Sequence, residues 1–347
     1  MRWLLVRTSA LGDVAHALPV LHVLRRSFPE DPIAWAIDET FAPLLEGHPG
    51  LEEVIALPLR RARRQGARAW GDLARALRRL RAFRPDVALD LMGNHKGGFL
   101  VWWSGARHRV GPAAPWRREL GSELWINEAV AVHRRHAVDR NLDLLQPFLG
   151  SLESAVLGPD LLPDREERAE PQILLHPGAA WANKRYPPAL WGQVAQGLRE
   201  ATGLAVRVIE APGEEALAKA VVEAAAGSAE LLEVPDLRSL VSVLKRAALV
   251  LGGDTGPVHL AQVLGRPVLI LHGPTDPSRH GAYRDPQGSL ALQLPCSFCH
   301  RRMDSPRPCL LALPPELVVN QALELLRRNE GFLEGLKAGG ATIAGRS

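Results

Sequence analysis

Short apolar runs recur along the chain at 3–7, 33–37, 53–57, 86–91, 172–176, 204–209, 230–234, 248–252 and 267–272, each rich in Val, Ile and Leu. Runs of this length, bounded by turn residues, predict strands buried on both faces, the pattern of parallel sheets. Between them, apolar positions fall at helical spacing over 14–27, 70–82, 137–148, 188–202, 214–226, 236–246 and 257–264. Strands alternating with helices predict βαβ units. One stretch, GPDLLPDREERAEPQ at 158–172, carries three prolines and several charges without any period. It predicts a linker over 158–171, between one α/β domain at 1–157 and another at 172–314. Each domain opens with a strand, a Gly-containing loop and a helix, so two Rossmann-like domains facing across a central cleft are the expected architecture. A further helix, 315–330, starts after Pro314-Pro315 and could cross back to the first domain, while the Gly- and Ala-rich tail at 331–347 is expected to be disordered.

Composition narrows the class. A chain of 347 residues exceeds one comfortable core, in agreement with two domains. Hydrophobic content of 46% and charged content of 23% are those of an ordinary globular protein. No apolar run approaches the roughly 20 residues that cross a bilayer. The chain starts directly on a strand-like segment with no leader pattern, and its three cysteines form no disulfide framework. Both features lead to the expectation of a cytoplasmic protein.

The net charge of +4 is unevenly spread, because residues 60–84 hold ten arginines and one acid. Leu73, Leu77 and Leu80 supply the buried stripe of a helix there, and its arginines can be a solvated face. Arg60, Arg61, Arg63 and Arg64 precede that helix in an expected loop at the end of a strand, where four guanidiniums call for an anionic partner. Nucleic acid is disfavoured, since aromatics make up only 5% and no binding motif is present. An anionic small molecule or glycolipid headgroup fits better.

Several chemistries lack their signatures. No G-x-G-x-x-G follows the first strand, and no G-x-x-x-x-G-K-[ST], H-E-x-x-H or G-x-S-x-G occurs. No D-x-D pair is available to hold a metal-bound sugar nucleotide, so neither a metal nor another cofactor is expected. The run CSFCHRRMDSPRPC at 296–309 contains C-x2-C-H. Covalent haem requires export, which is not expected here. Cys296, Cys299, Cys309 and His300 could ligate zinc, but the adjacent Cys299 and His300 make poor joint ligands, and free or redox-active thiols are the expectation.

Three strand-to-helix turns carry the positive signals. In LVRTSALGDVAHALPVL, the first strand runs into a small polar loop over Thr8–Asp13. Asp13 there can serve the positive end of a helix dipole or stand at the carboxyl end of a sheet, where open α/β folds bind ligands. In ILLHPGAAWANKRYPPALW, Pro177–Ala180 are small enough for backbone amides to approach a phosphate, and Lys184 follows as a cation able to neutralise a leaving diphosphate. In LVLGGDTGPVHLAQVL, Asp254, Thr255 and Gly256 form a tight turn into a helix carrying His259, a diphosphate-binding arrangement. The plainer alternative is that Asp254 caps the helix and His259 is a satisfied buried histidine.

Taken together, TSALGDVAHALPVL, HPGAAWANKRYP and GGDTGPVHLAQVLGRPVLILHGPTDP resemble the lipopolysaccharide heptosyltransferases of glycosyltransferase family 9. DLMGNHKGG (90–98) and HAVDRNLDLL (136–145) resemble further stretches of the family in the right order. The resemblance spans residues 3 to about 328 and implies a GT-B fold. It implies ADP-L-glycero-D-manno-heptose as donor and the anionic lipid A–Kdo inner core as acceptor, at the cytoplasmic face of the inner membrane. It assigns the catalytic base to Asp13, within a loop that includes Ser9 and Gly12. It assigns donor binding to Lys184, Asp254, Thr255, Gly256 and His259, with Glu214 near the nucleoside, and acceptor binding to Ser9, Gly12, Arg60, Arg61, Arg63 and Arg64. The resemblance further implies inverting transfer without a metal. Two alternatives stay open from the sequence: another nucleotide sugar or a non-lipopolysaccharide acceptor on the same fold, and a non-catalytic nucleotide- or glycan-binding module. No signal for an oligomeric state is present.

Overall fold

The computed structural model describes residues 1–117, 119–150, 152, 157–162, 171–283 and 285–329. The chain forms two compact units, Met1–Pro163 and Asp164–Ser347. The tail at 331–347 and most of the expected linker lie outside the described residues.

The first unit contains β1 (Trp3–Val6), α1 (Leu11–Ala15), α2 (Leu18–Ser27), β2 (Ile33–Asp38), β3 (Glu53–Leu57), α3 (Leu59–Gln65), α4 (Ala67–Ala82), β4 (Val87–Asp90), α5 (His95–Trp103), β5 (His108–Pro112), β6 (Glu128–Val130), α6 (Ala137–Asp143) and α7 (Gln146–Leu149). The second contains β7 (Gln172–His176), α8 (Pro188–Thr202), β8 (Ala205–Val208), α9 (Glu215–Ala224), β9 (Glu230–Leu231), α10 (Leu237–Lys245), β10 (Ala247–Gly253), α11 (Gly256–Val263), β11 (Val268–His272), α12 (Pro277–His280), β12 (Ser289–Ala291), α13 (Pro308–Leu311) and α14 (Pro315–Arg328).

Each unit has one six-stranded sheet, in the orders β3-β2-β1-β4-β5-β6 and β12-β11-β10-β7-β8-β9. All described pairings are parallel. Numbered within its own unit, each sheet has the same 3-2-1-4-5-6 order. The direction of winding therefore reverses between β1 and β4 and between β7 and β10, and ligands of open α/β sheets bind beyond the strand ends at such points. The central strands are wholly buried, which is why they read as unbroken apolar runs.

Several expectations are corrected. The loop at Thr8–Asp13 is shorter than expected: α1 begins at Leu11, so Gly12 and Asp13 lie in its first turn. Arg60, Arg61, Arg63 and Arg64 are not in a loop but on α3, which forms because Leu59 and Ala62 pack on Ala69, Leu73 and Leu77 of α4. The helix at 315–328 is part of the second unit. It packs on α8, and Val318, Ala322, Leu325 and Leu326 complete the core of the second unit.

Helix α5 and strands β5, β6 and β12 escape the periodicity. In α5, Asn94 caps the helix by accepting from the Gly97 amide at 2.9 Å. Two glycines weaken its helical pattern for a packing reason: a Cβ on Gly97 would lie 2.2 Å from Asp90 Oδ1, and one on Gly98 would lie 2.7 Å from the Trp125 side chain. The three missed strands are short edge or near-edge pieces: β5 contains histidine, arginine and proline, β6 begins with glutamate, and β12 is only Ser-Leu-Ala.

Candidate active site

In the first unit, the reversal point lies between the loops that follow β1 and β4. A cleft of about 260 Å³ opens there, lined in part by Arg7, Ser9, Asp13, His16, Asp90 and Lys96. Arg7 organises it. One guanidinium nitrogen pairs with Asp13 Oδ1 at 2.5 Å, and another donates to the Leu91 carbonyl. This ties the loop after β1 to the one after β4 and fixes the orientation of the acid. The Ala10 amide donates to the other Asp13 oxygen at 3.3 Å. The Asp13 side chain is still 40% exposed, so a substrate hydroxyl can reach it.

Across the cleft, Asp90 is fully buried at the end of β4. It accepts from the Met92 and Gly93 amides, both at 3.1 Å, and pairs with Arg117 at 2.8 Å. Burial raises the Asp90 pKa, against the pull of Arg117 and the two amides. Its role is structural: it shapes the turn that carries Asn94 and Lys96. The Lys96 ammonium lies 3.5 Å from Ser9 Oγ. Burial lowers its pKa, and the nearby charges of Arg60 and Arg7 push in the same direction while Asp38 opposes them. An exposed cation in the same cleft as an acid suits a hydroxyl nucleophile that belongs to an anionic molecule.

The arginines predicted for the acceptor separate. Arg61 is already neutralised, by Glu39 at 2.9 Å and Asp72 at 2.6 Å, so its partner is internal. Arg60 stands over the Phe41 ring at 4.9 Å. Arg63 and Arg64 are exposed.

In the second unit, the reversal point lies between β7 and β10, and the predicted donor residues converge there. Lys184 Nζ pairs with Asp254 Oδ2 at 2.7 Å, and His259 Nε2 meets Asp254 Oδ1 at 2.7 Å. Asp254 is therefore not a helix cap: Thr255 takes the cap position of α11, and the Asp254 carboxylate bridges two basic side chains. Burial alone would raise the Asp254 pKa, but the hydrogen bond and charge of His259 and the charge of Lys184 hold it well below the usual carboxylate range. Lys184 also stands 4.8 Å from the Trp181 ring centroid. Nearby His272 is fully buried, and burial pushes its pKa down to about 4, so it stays neutral.

A second polar chain crosses the same point. Thr255 Oγ1 lies 3.2 Å from His176 Nδ1, and His176 Nε2 faces Glu214 Oε2 at 3.5 Å. Burial acts to raise the Glu214 pKa, but the hydrogen bond and charge from His176 prevail and it is lowered. The space for this carboxylate comes from Gly178, where a Cβ would lie 1.7 Å from Glu214 Oε2. The small residue thus makes room for the glutamate. Gly256 is the first residue of α11.

Sequence reasoning missed Arg7, Asp90, Lys96, Arg117 and His176. Only DLMGNHKGG held a signal, an acid and a lysine flanking a glycine after a strand. Near the cysteines, the Phe298 and His300 amides donate to the Gly273 and Pro274 carbonyls at 2.9 and 2.8 Å. Among the described residues, no three His, Cys, Asp or Glu side chains are grouped to hold a metal ion. Cys309 is buried, and burial and the neighbouring Cys296 raise its thiol pKa to about 11.

The family model for glycosyltransferase family 9 (heptosyltransferase) matches residues 73–309. Lipopolysaccharide heptosyltransferase 1 of Pseudomonas aeruginosa is 31% identical over 319 residues, 89% of this chain and 88% of that protein. The counterpart in Salmonella typhimurium is 30% identical over 298 residues, 82% of this chain and 92% of its own length. The solved structure of the Escherichia coli heptosyltransferase WaaC with ADP superposes with a TM-score of 0.76 at 26% identity, covering 94% of this chain and all of that one. WaaC with ADP-2-deoxy-2-fluoro heptose gives 0.75. With two parallel six-stranded α/β units and these matches, the chain has the GT-B fold and belongs to glycosyltransferase family 9, the heptosyltransferases.

Proposed function

We propose that the protein transfers heptose from ADP-L-glycero-D-manno-heptose to a hydroxyl of the Kdo-containing inner core of lipopolysaccharide, with inversion and without a metal. The observation that carries the reading is the buried Lys184–Asp254–His259 cluster at the reversal point of the second sheet. It combines a cation suited to a diphosphate with a carboxylate that holds that cation in place. The relatives' names and the ADP-bound structures support the choice of nucleotide and sugar.

The transfer divides between the units. Asp13 takes the proton of the acceptor hydroxyl as that oxygen attacks the anomeric carbon, a role typically worth about 10²–10⁴ in rate. Arg7 holds Asp13 in position, and Lys96, with Arg60, Arg63 and Arg64, receives the negative charge of the acceptor. Lys184 and the Thr255 hydroxyl stabilise charge on the departing ADP, which is the part a metal plays in other sugar-nucleotide enzymes. Glu214 accepts from hydroxyls of the nucleoside. The acceptor is lipid-linked, so the protein works at a membrane surface, and among its described residues no helix is long and apolar enough to cross one.

Titration calorimetry against ADP-heptose, ADP, UDP-glucose and UDP-N-acetylglucosamine, with EDTA present, tests the reading. Selective binding of the adenosine nucleotides is expected. Binding of a uridine nucleotide alone would overturn the donor.

A further inference from the structure

One side of the first sheet carries a layer formed by α4, α5 and the segment 120–125, packed side by side. Each of its three parts exposes large apolar side chains. Leu120 is 97% exposed, Leu124 82%, Trp70 60% and Trp102 46%, four of the seven large apolar side chains that stand exposed among the described residues. Such a concentration on one layer is not the scatter expected of an ordinary surface. The Trp102 ring packs on other rings, 5.5 Å from Trp125 and 5.9 Å from Phe99.

The α4 part of this surface is basic. Arg81 stands over the Trp103 ring and donates to the Trp103 carbonyl at 3.3 Å, and Arg78 is exposed one turn earlier on α4. Asp72, the acid of α4, is engaged by Arg61 and Arg75, and Glu119 accepts from the His95 amide at 2.7 Å. Glu119 and Glu123 are exposed acids beside Leu120 and Leu124. Tryptophan and leucine framed by arginine are the side chains that sit at the level of lipid headgroups, where an aromatic ring buries its body and a guanidinium meets phosphate.

We propose that this layer is the membrane-docking face of the protein, resting on an anionic phospholipid bilayer. Trp70, Trp102, Leu120 and Leu124 enter the headgroup region, while Arg78 and Arg81 meet lipid phosphates. The position has a consequence for the site. His95 Nε2 lies 2.9 Å from the Leu120 carbonyl, and Lys96 is the next residue, in the wall of the Asp13 cleft. A lipid-anchored acceptor can thus leave its acyl chains in the bilayer beside Leu120 while its sugar headgroup reaches Lys96 and Asp13. This deepens the proposed function and rests on it for the nature of the acceptor.

The test sediments the full chain with vesicles of phosphatidylcholine alone or mixed with phosphatidylglycerol, at low and physiological salt. Wild type is expected on the mixed vesicles only, with binding weakened by salt. The double variant Leu120→Glu/Leu124→Glu should lose about tenfold or more of that binding, and Arg78→Glu a smaller share. Thermal melting should match wild type, because both leucines are exposed. Transfer to a deacylated, water-soluble acceptor should also be unchanged in the double variant. Equal vesicle binding by wild type and the double variant would overturn the proposal. So would a wild-type dimer, seen by light scattering, that the double substitution dissociates while neither protein binds vesicles. Failure of wild type to act on the soluble acceptor would count against the proposed function, and the vesicle result would still decide the docking face.

Discussion

Replacing Lys184 with glutamine tests whether the cluster at the second reversal point binds phosphate or only completes the fold. The substitution removes a cation 2.7 Å from Asp254 and leaves that carboxylate buried beside His259. One charge-assisted hydrogen bond to the diphosphate is worth about 1.5–3 kcal/mol, or roughly 10- to 150-fold in affinity. The Asp254 charge, no longer offset, repels the nucleotide further. At about 4 Å and an effective dielectric constant of about 20 this repulsion is of order 4 kcal/mol, an upper bound that ions and water reduce. ADP and ADP-heptose should therefore bind about 100-fold more weakly or worse, and Lys184→Gln/Asp254→Asn should recover part of the loss. Adenosine, which lacks phosphate, should bind the variant as it binds wild type. Calorimetry with the three ligands reads all of this. An equal loss for adenosine and ADP, or none for either, would refute the reasoning and leave Lys184 as a counter-ion to Asp254.

Other outcomes follow from the same geometry. Asp13→Asn should lower kcat about 10²–10⁴-fold in a transfer assay and leave the Kd for ADP-heptose unchanged. The His272 pKa is about 4 in the folded chain against 6.5 unfolded, so the unfolded state binds the extra proton and stability falls as pH drops from 6.5 toward 4. His272→Phe should flatten that part of the pH–stability curve measured by denaturant unfolding. Arg61→Ala should destabilise the α3–α4 pair without changing the acceptor KM, because its guanidinium is held by Glu39 and Asp72, whereas Arg63→Ala/Arg64→Ala should raise that KM. Gly178→Ala forces a Cβ against Glu214 and should weaken adenosine binding together with ADP binding.

The sheets were legible because their central strands, β1, β4, β7 and β10, are buried on both faces and must be apolar throughout. The edges were not, since β6 and β12 are three residues each and face solvent in part. Within the site, residues beside a strand-to-helix turn could be found from local pattern, as with Asp13, Lys184 and Asp254. Partners separated along the chain could not. Thr255 meets His176 across 79 positions, and Asp90 meets Arg117 across 27, by way of strand neighbours that no local window reports. The arginine run misled for a related reason. Composition showed its charge but not that Glu39, from the end of β2, would neutralise Arg61. Lys96 was hidden by the glycines that let α5 approach Asp90, which break the helical pattern that would have marked its position.

The most direct measurement of the central claim is transfer itself. Purified protein, ADP-heptose and a deacylated Kdo-containing core are combined in EDTA, and the product is read by mass spectrometry and by NMR of the new anomeric centre. The account predicts addition of one heptose with inverted configuration for wild type, and none for Asp13→Asn. Retained configuration, dependence on added divalent metal, or undiminished transfer by Asp13→Asn would contradict it.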